Sequence, residues 1–213
     1  MPTLMLASTN VVITPTMSYT FVGDLYDAAV ADADGRRVGS EFLAPDGQLE
    51  LGLRLGLRVP RSRFHVVADF GGGNTRGRLS SCGIASRAGT QADCVAERGD
   101  MSGWHASAAL THPILSRNAI GVEVALGGSL AHTTFEGPTV GATYTMPGAM
   151  AGLAFVFPLA ARGGLRLHIA DNMVAPDRAT IRRGFSLAPS DRVAYASALT
   201  HMLNVGVGIS VGM

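Results

Sequence analysis

Between Gln48 and Pro60 the chain reads QLELGLRLGLRVP: every odd position from Leu49 to Val59 is a large aliphatic and every even one is Glu, Gly or Arg. Alternation of period two marks a β-strand with chemically different faces. Leu49, Leu51, Leu53, Leu55, Leu57 and Val59 make one row without a gap, while Glu50, Gly52, Arg54, Gly56 and Arg58 make the other and carry three charges. A sandwich core would have to neutralise those charges. A barrel wall with lipid outside and a polar lumen inside accepts both rows as they stand.

The rest of the composition agrees. The chain is 47% hydrophobic with positive mean hydropathy, yet it has no uninterrupted apolar run of about 18 residues that could cross a bilayer as a helix. Its charged fraction of 15% is thin for a fully hydrated surface, and its 27 glycines suit turns and crowded barrel interiors. With 213 residues, a single domain over 1–213 is expected. A net charge of +1 with no basic run argues against a nucleic-acid partner. Met1 to Asn10 has neither a basic start nor a long apolar core, so the chain reads as a mature form without a secretory signal.

Seven further segments repeat the alternation: about Thr9 to Phe21, Phe64 to Gly71, Gly103 to Ile114, Ile120 to Leu130, Thr143 to Phe157, Gly164 to Ala170, and Val193 to Met213. Pro147 and Gly148 suggest a bulge or bend in the sixth of the eight strands. Connections alternate in length. Pro60 to Arg63, Leu115 to Asn118 and Pro158 to Gly163 read as tight turns, and Val22 to Gly47, Gly72 to Ser102, His132 to Ala142 and Asp171 to Arg192 as long polar loops. The implied fold is all-β, an eight-stranded antiparallel up-and-down transmembrane barrel with three short turns on one rim and four long loops on the other. Phe64, Phe155 and Phe157 beside the short turns, and Tyr19, Phe21, Phe70, Trp104 and Tyr195 near the loop ends, would form two aromatic girdles.

With these eight segments, the alternating loop lengths and the ending NVGVGISVGM, the chain resembles the small bacterial outer-membrane barrels of the OmpA-like and OmpX-like kind over essentially its whole length. The ending looks like the signal that barrel-assembly machinery reads on such proteins, although it closes on Met213 where the family usually has an aromatic. The resemblance implies a monomer in the bacterial outer membrane, with periplasmic termini and short turns, and long extracellular loops in contact with a ligand or host surface.

The chemistry available lies in the predicted interior. If Arg61 and Ser62 form a two-residue turn, Arg58 opposes His65 and Arg54 opposes Asp69. Glu50, His105, Glu123, Arg166 and His168 point into the same lumen. Eight strands enclose a space that side chains largely fill, so these groups are expected to form a paired network. Cys82 and Cys94, with eleven residues between them in a Gly/Ser/Arg-rich segment, are expected to close a loop as a disulfide in an oxidising compartment.

Three functions compete: a membrane-anchored scaffold whose loops bind a partner, a narrow gated pore for ions or small solutes, and a lipid-modifying enzyme. The last rests on His105 and Ser107, which alternation turns inward, away from lipid, so no enzymatic activity is expected. His112 and His201 fall on the lipid face without a third ligand, and Asp32, Asp34 and Gly35 lack the remaining ligands of a calcium loop, so neither metal nor cofactor is expected. Gly71 to Thr75 is glycine-rich but lacks the Gly-Lys-Ser/Thr of a phosphate loop. A soluble lipocalin-like barrel is the structural rival, and it requires the aliphatic rows inside.

Overall fold

The two rows of the opening strand sort by solvent. Leu49, Leu51, Leu53, Leu55 and Leu57 are between 42% and 69% exposed, whereas Glu50 is 1% exposed. They belong to an outward band that includes Val66, Phe70, Leu110, Leu126, Ile169, Val205 and Ile209. A band of this extent has no place on a water-soluble monomer. It overturns the lipocalin-like alternative, whose aliphatic rows would have to be inside. Leu53→Arg is therefore expected to cost about 2–4 kcal/mol of folding free energy in lipid vesicles, as a charge does near the bilayer midplane. Gly56→Ala is the matching inward control, since a β-carbon there would meet nothing closer than 3.7 Å; equal folding yields for the two variants would contradict the assignment of faces. Gly52 would be a poor control, because its β-carbon would lie 2.7 Å from the Phe70 carbonyl.

The structure is a computed structural model that describes residues 11–82, 94–117, 120–138, 141–160, 163–176, 192–195 and 199–212. Its strands are β1 (Val11–Val22), β2 (Tyr26–Ala31), β3 (Arg37–Pro45), β4 (Gln48–Arg58), β5 (His65–Cys82), β6 (Cys94–Arg117), β7 (Ile120–Glu136), β8 (Gly141–Ala160), β9 (Gly163–Val174), β10 (Arg192–Tyr195) and β11 (Thr200–Gly212). All pairings are antiparallel. Eight strands, β1, β4 to β9 and β11, close into a barrel, with β1 joined to β11 and β5 to β6. Closure leaves the barrel wall no unpaired edge, as a bilayer requires.

Hairpin β4–β5 has the register that the sequence suggested, with Arg54 opposite Asp69 and Arg58 opposite His65. Its turn differs in one detail. The Ser62 amide donates to the Val59 carbonyl at 3.2 Å, so Pro60 and Arg61 are the central residues. Arg61 takes the positive φ of 60° that the second central position of a type II turn demands, and Pro60 presets the first.

Above the girdle the strands outrun the sequence reading. Much of what read as long polar loop is strand: β5 and β6 run on to Cys82 and from Cys94, and only four residues separate β7 from β8. The cause is an inversion of pattern. On β5 the outward row changes from Val66 and Phe70 to Asn74, Arg76 and Arg78, while the inward row changes from Asp69 to Leu79. Once the wall leaves lipid for water, the apolar side of each strand must turn inward, and a search for a constant apolar face stops there.

The segment from Val193 to Met213 is not one strand: Arg192–Tyr195 is β10, which pairs with β2, and the barrel strand begins at Thr200. Tyr195 thus lies off the barrel wall and is not part of the girdle. The register of β7 on β8 runs unbroken through Pro147 and Gly148, and the register shifts of the barrel wall fall instead at Pro113/Leu115 and Pro158/Ala160. The loop from Val22 to Gly47 holds hairpin β2–β3. Because β4 covers only the lower part of β5, β3 takes the upper part, Pro45 pairing with Gly77 and Ser40 with Cys82. Strands β2 and β10 extend this ledge. The turn between β2 and β3 is tied by Asp32, whose carboxylate accepts the amides of Asp34 and Arg36, the polar turn expected of this segment.

Candidate functional site

From the short-turn rim upward the interior is layered, and each layer follows from which inward residues the registers bring level. In the lower layer Arg54 Nη1 donates to Asp69 at 3.0 Å, and Arg166 Nη1 donates to Glu123 at 2.7 Å across the lumen. The four groups come from β4, β5, β7 and β9, so every ionic bond here ties different staves of the barrel.

The middle layer centres on Glu50 and Asn204. Glu50 Oε2 lies 3.3 Å from His105 Nδ1 and 3.0 Å from Asn204 Nδ2, and its other oxygen accepts from Gln48. Asn204 Nδ2 is also 2.9 Å from Ser18 Oγ and from Thr20 Oγ1, so its two hydrogens are shared among three acceptors, while Asn204 Oδ1 faces His168 Nε2 at 2.9 Å. A fixed network of this kind satisfies a carboxylate that is 1% exposed. Two glycines make room for the imidazoles. A β-carbon on Gly71 would lie 2.7 Å from His105 Cε1, and one on Gly206 would lie 2.6 Å from His168 Cε1 and 2.5 Å from Ser18 Cβ. Gly206→Ala is expected to destabilise the barrel by about 1–3 kcal/mol through overpacking. Urea unfolding in lipid vesicles would measure this, and a cost no larger than that of the roomy Gly128→Ala would contradict the packing described.

The upper layer is apolar. Leu25, Tyr26, Ala28, Val30 and Leu43 from the β2–β3 ledge meet Leu79, Met101, Phe135, Met146, Val174 and Met202 in one buried cluster. Its rung Met101↔Phe135 lies three residues beyond the rung Trp104↔His132 of the outward girdle. Tyr26 donates to Glu41 at 2.5 Å and lies 3.3 Å from the Tyr144 hydroxyl; burial, with Tyr144 and Glu41 beside it, pushes the Tyr26 hydroxyl far above its usual range. Cavity volume falls along the axis from about 540 Å³ at the short-turn end to about 50 Å³ among the ionic groups and about 10 Å³ below the apolar cluster.

Thus Arg54 with Asp69, Glu123 with Arg166, and Glu50 with His105 come together in the lumen, and His168 joins them through Asn204. Arg58 and His65 share a rung near the short-turn rim. Asn204, Gln48, Ser18 and Thr20 were not picked out from the sequence. The available signal was that Asn204 is the one amide in an inward row that runs on as Gly206, Gly208, Ser210 and Gly212. Ser107 is inward and 8% exposed, on a rung with Asp69, while the His105 ring turns to Glu50. His201 is outward, its ring 2.7 Å from Asp171, and His112 packs edge-on against Phe64 at 4.8 Å. No cluster of metal-ligating side chains occurs among the described residues. The upper girdle holds Tyr19 against Phe21 and a stack of Phe70, Trp104 and His132, with centroids 6.1 Å and 5.3 Å apart along the stack.

No protein-family model matches the sequence, and no curated protein matches it. Solved structures do. The chain is similar to Neisserial surface protein A, with a TM-score of 0.53 at 9% identity over 95% of this chain and 97% of that one. It is also similar to the outer membrane protein OprG of Pseudomonas aeruginosa, with a TM-score of 0.58 at 11% identity over 96% of this chain and 97% of that one. Identities of this size carry the fold alone.

Proposed function

We propose that this chain, which has the fold of the small eight-stranded outer-membrane β-barrels, is a membrane-anchored scaffold of the bacterial outer membrane with a sealed lumen. Its short turns and both termini face the periplasm, and its β-ledge and loops present a binding surface outside the cell. One observation carries this reading: the loop-side end of the lumen is filled by an apolar core built jointly from the ledge and the barrel wall. Such a core both closes the channel and fixes the ledge rigidly on the barrel, which suits recognition by the connections it supports. The protein works as a monomer, its last strand is the element read by the assembly machinery, and the extracellular partner meets the ledge and loops. Of the long connections expected to meet a partner, residues 83–93 and 177–191 lie outside the described residues.

The disulfide between Cys82 and Cys94 belongs to this proposal. It is supported by the register, which makes the two residues the last rung of β5 on β6, and by the absence of a free cysteine among the described residues. An intact mass lower than that of the reduced chain by two hydrogens would establish it; free thiols in the folded protein would refute it.

The gated pore is kept as a second reading by one feature. The wide cavity on the short-turn side reaches Arg54, Glu123 and Arg166, so a rearrangement of this layer, of the Glu50–Asn204 layer above it and of the apolar core would join it to the other rim. Planar-bilayer conductance of the refolded barrel separates the two, with heat-dependent gel mobility as the check of folding. A folded, silent barrel is expected; discrete and reproducible current steps would favour the pore.

A further inference from the structure

The cavity of about 540 Å³ at the short-turn end is larger than a sealed scaffold needs, and its lining is unbalanced. Arg54, Arg58, Arg63, Arg166 and His65 face one carboxylate, Glu123. Glu123 is engaged by Arg166 and Arg54 by Asp69, and Arg58 and Arg63 make no ion pair among the described residues. Even the paired cations have donors to spare: Arg54 Nη2 and Arg166 Nε are buried without a partner, as is the ring Nε2 of His65, and Arg166 is only 6% exposed. Buried donors left unmade are costly, and a pocket that gathers them calls for an acceptor. Four guanidinium groups against Glu123 and the Asp69 that holds Arg54 leave an excess of two positive charges.

The rest of the lining is of another kind. Val12, Val67, Ile114, Leu115 and Val156 belong to it, Val12 and Val67 flanking Gly56 between Arg54 and Arg58, and the bulge at Pro113/Leu115 leaves Ile114 out of the β6–β7 ladder. A pocket in which convergent donors are interleaved with aliphatic side chains suits a ligand with an anionic head and a compact apolar body.

We propose that this vestibule is a binding site for a small phosphate monoester. The phosphate is held by Arg58 and Arg63 at the mouth and by the spare donors of Arg54 and Arg166 at the floor, and the organic body lies against Val67, Ile114 and Val156. Guanidinium forks match phosphate oxygens two at a time, and a dianion answers the excess charge better than a carboxylate does. The apolar cluster at the far end makes the vestibule a blind pocket entered from the short-turn rim alone. The site is independent of whatever the outer ledge recognises. Two sources present phosphate oxygens to these guanidinium groups, a free monoester dianion or the singly charged phosphodiester headgroup of an anionic phospholipid at that rim.

The test uses the full chain refolded in a maltoside detergent, which carries no phosphate, with phenyl phosphate titrated by calorimetry and phenol as the uncharged control. Saturable binding of one phenyl phosphate is expected, with none of phenol and at least tenfold weaker binding in Arg58→Gln and in Arg63→Gln. Neither residue is ion-paired, so both variants are expected to keep heat-dependent gel mobility. Absence of saturable binding, or undiminished binding in the double variant Arg58→Gln/Arg63→Gln, would overturn the proposal. Repeating the titration in phosphatidylglycerol and in phosphatidylcholine nanodiscs identifies the source. Competition by phosphatidylglycerol alone, lost in Arg58→Gln, supports the site with a lipid headgroup as its occupant. Equal affinity in both bilayers supports it with a free ester.

Discussion

Replacing Glu123 with alanine should destabilise the folded barrel by about 3–5 kcal/mol, the cost of stripping one partner from a buried ion pair. Glu123 holds Arg166 at 2.7 Å from the far side of the lumen, and Arg166 is 6% exposed. Without the carboxylate, Arg54 and Arg166 would share a confined layer whose one other acid is Asp69, already bonded to Arg54. Glu123→Gln keeps the size and one acceptor oxygen, so it should lose less. The measurement is the urea unfolding midpoint and slope in lipid vesicles for parent, Ala and Gln variants. A loss below about 1 kcal/mol for the alanine variant, the scale of an exposed pair, would mean that water reaches this layer and screens it.

Replacing Phe135 with alanine should cost a similar amount, about 3–5 kcal/mol, by a different mechanism. Phe135 is 0% exposed at the centre of the apolar cluster, and its ring lies against Gly99, where a β-carbon would come within 2.8 Å of it. Truncation leaves a void that neither neighbouring strand can fill without breaking its register. If this cluster is also the seal of the lumen, Phe135→Ala combined with Met146→Ala should give brief current bursts in a planar bilayer where the parent is silent. A folded double variant that stays silent would move the seal to the ionic layers below.

How much of this was legible in the sequence depends on the solvent each segment meets. Where lipid lies outside and polar groups inside, the alternation of Leu49 to Leu57 fixes strand, faces and partner, and the Arg54–Asp69 contact follows from the register of one hairpin. Beyond the girdle the apolar residues change sides, as at Leu79 and Phe135, and the outward row becomes Arg76, Arg78 and Thr134. A reading tuned to one inside-out pattern takes such segments for polar loops, and so it missed β2, β3 and the upper halves of β5 and β6. The site divides the same way. Charged inward residues announce themselves because charge inside a barrel must be matched. Asn204, Thr20 and Gln48 do not, since a neutral polar residue in an inward row costs little until the register shows that it meets Glu50. The girdle member His132 was missed because its role lies in stacking on Trp104, a contact across strands that no local pattern encodes.

The most direct test of the central claim, a wall with lipid on its aliphatic face and a filled polar interior on the other, is a nitroxide scan along Gln48 to Arg58 in lipid vesicles, using single cysteines in a background with Cys82 and Cys94 replaced by serine. Collision rates with oxygen, which partitions into lipid, should rise and fall with period two, high at positions 49, 51, 53, 55 and 57 and low at 50, 52, 54, 56 and 58. The opposite phase, or no alternation, would contradict the account.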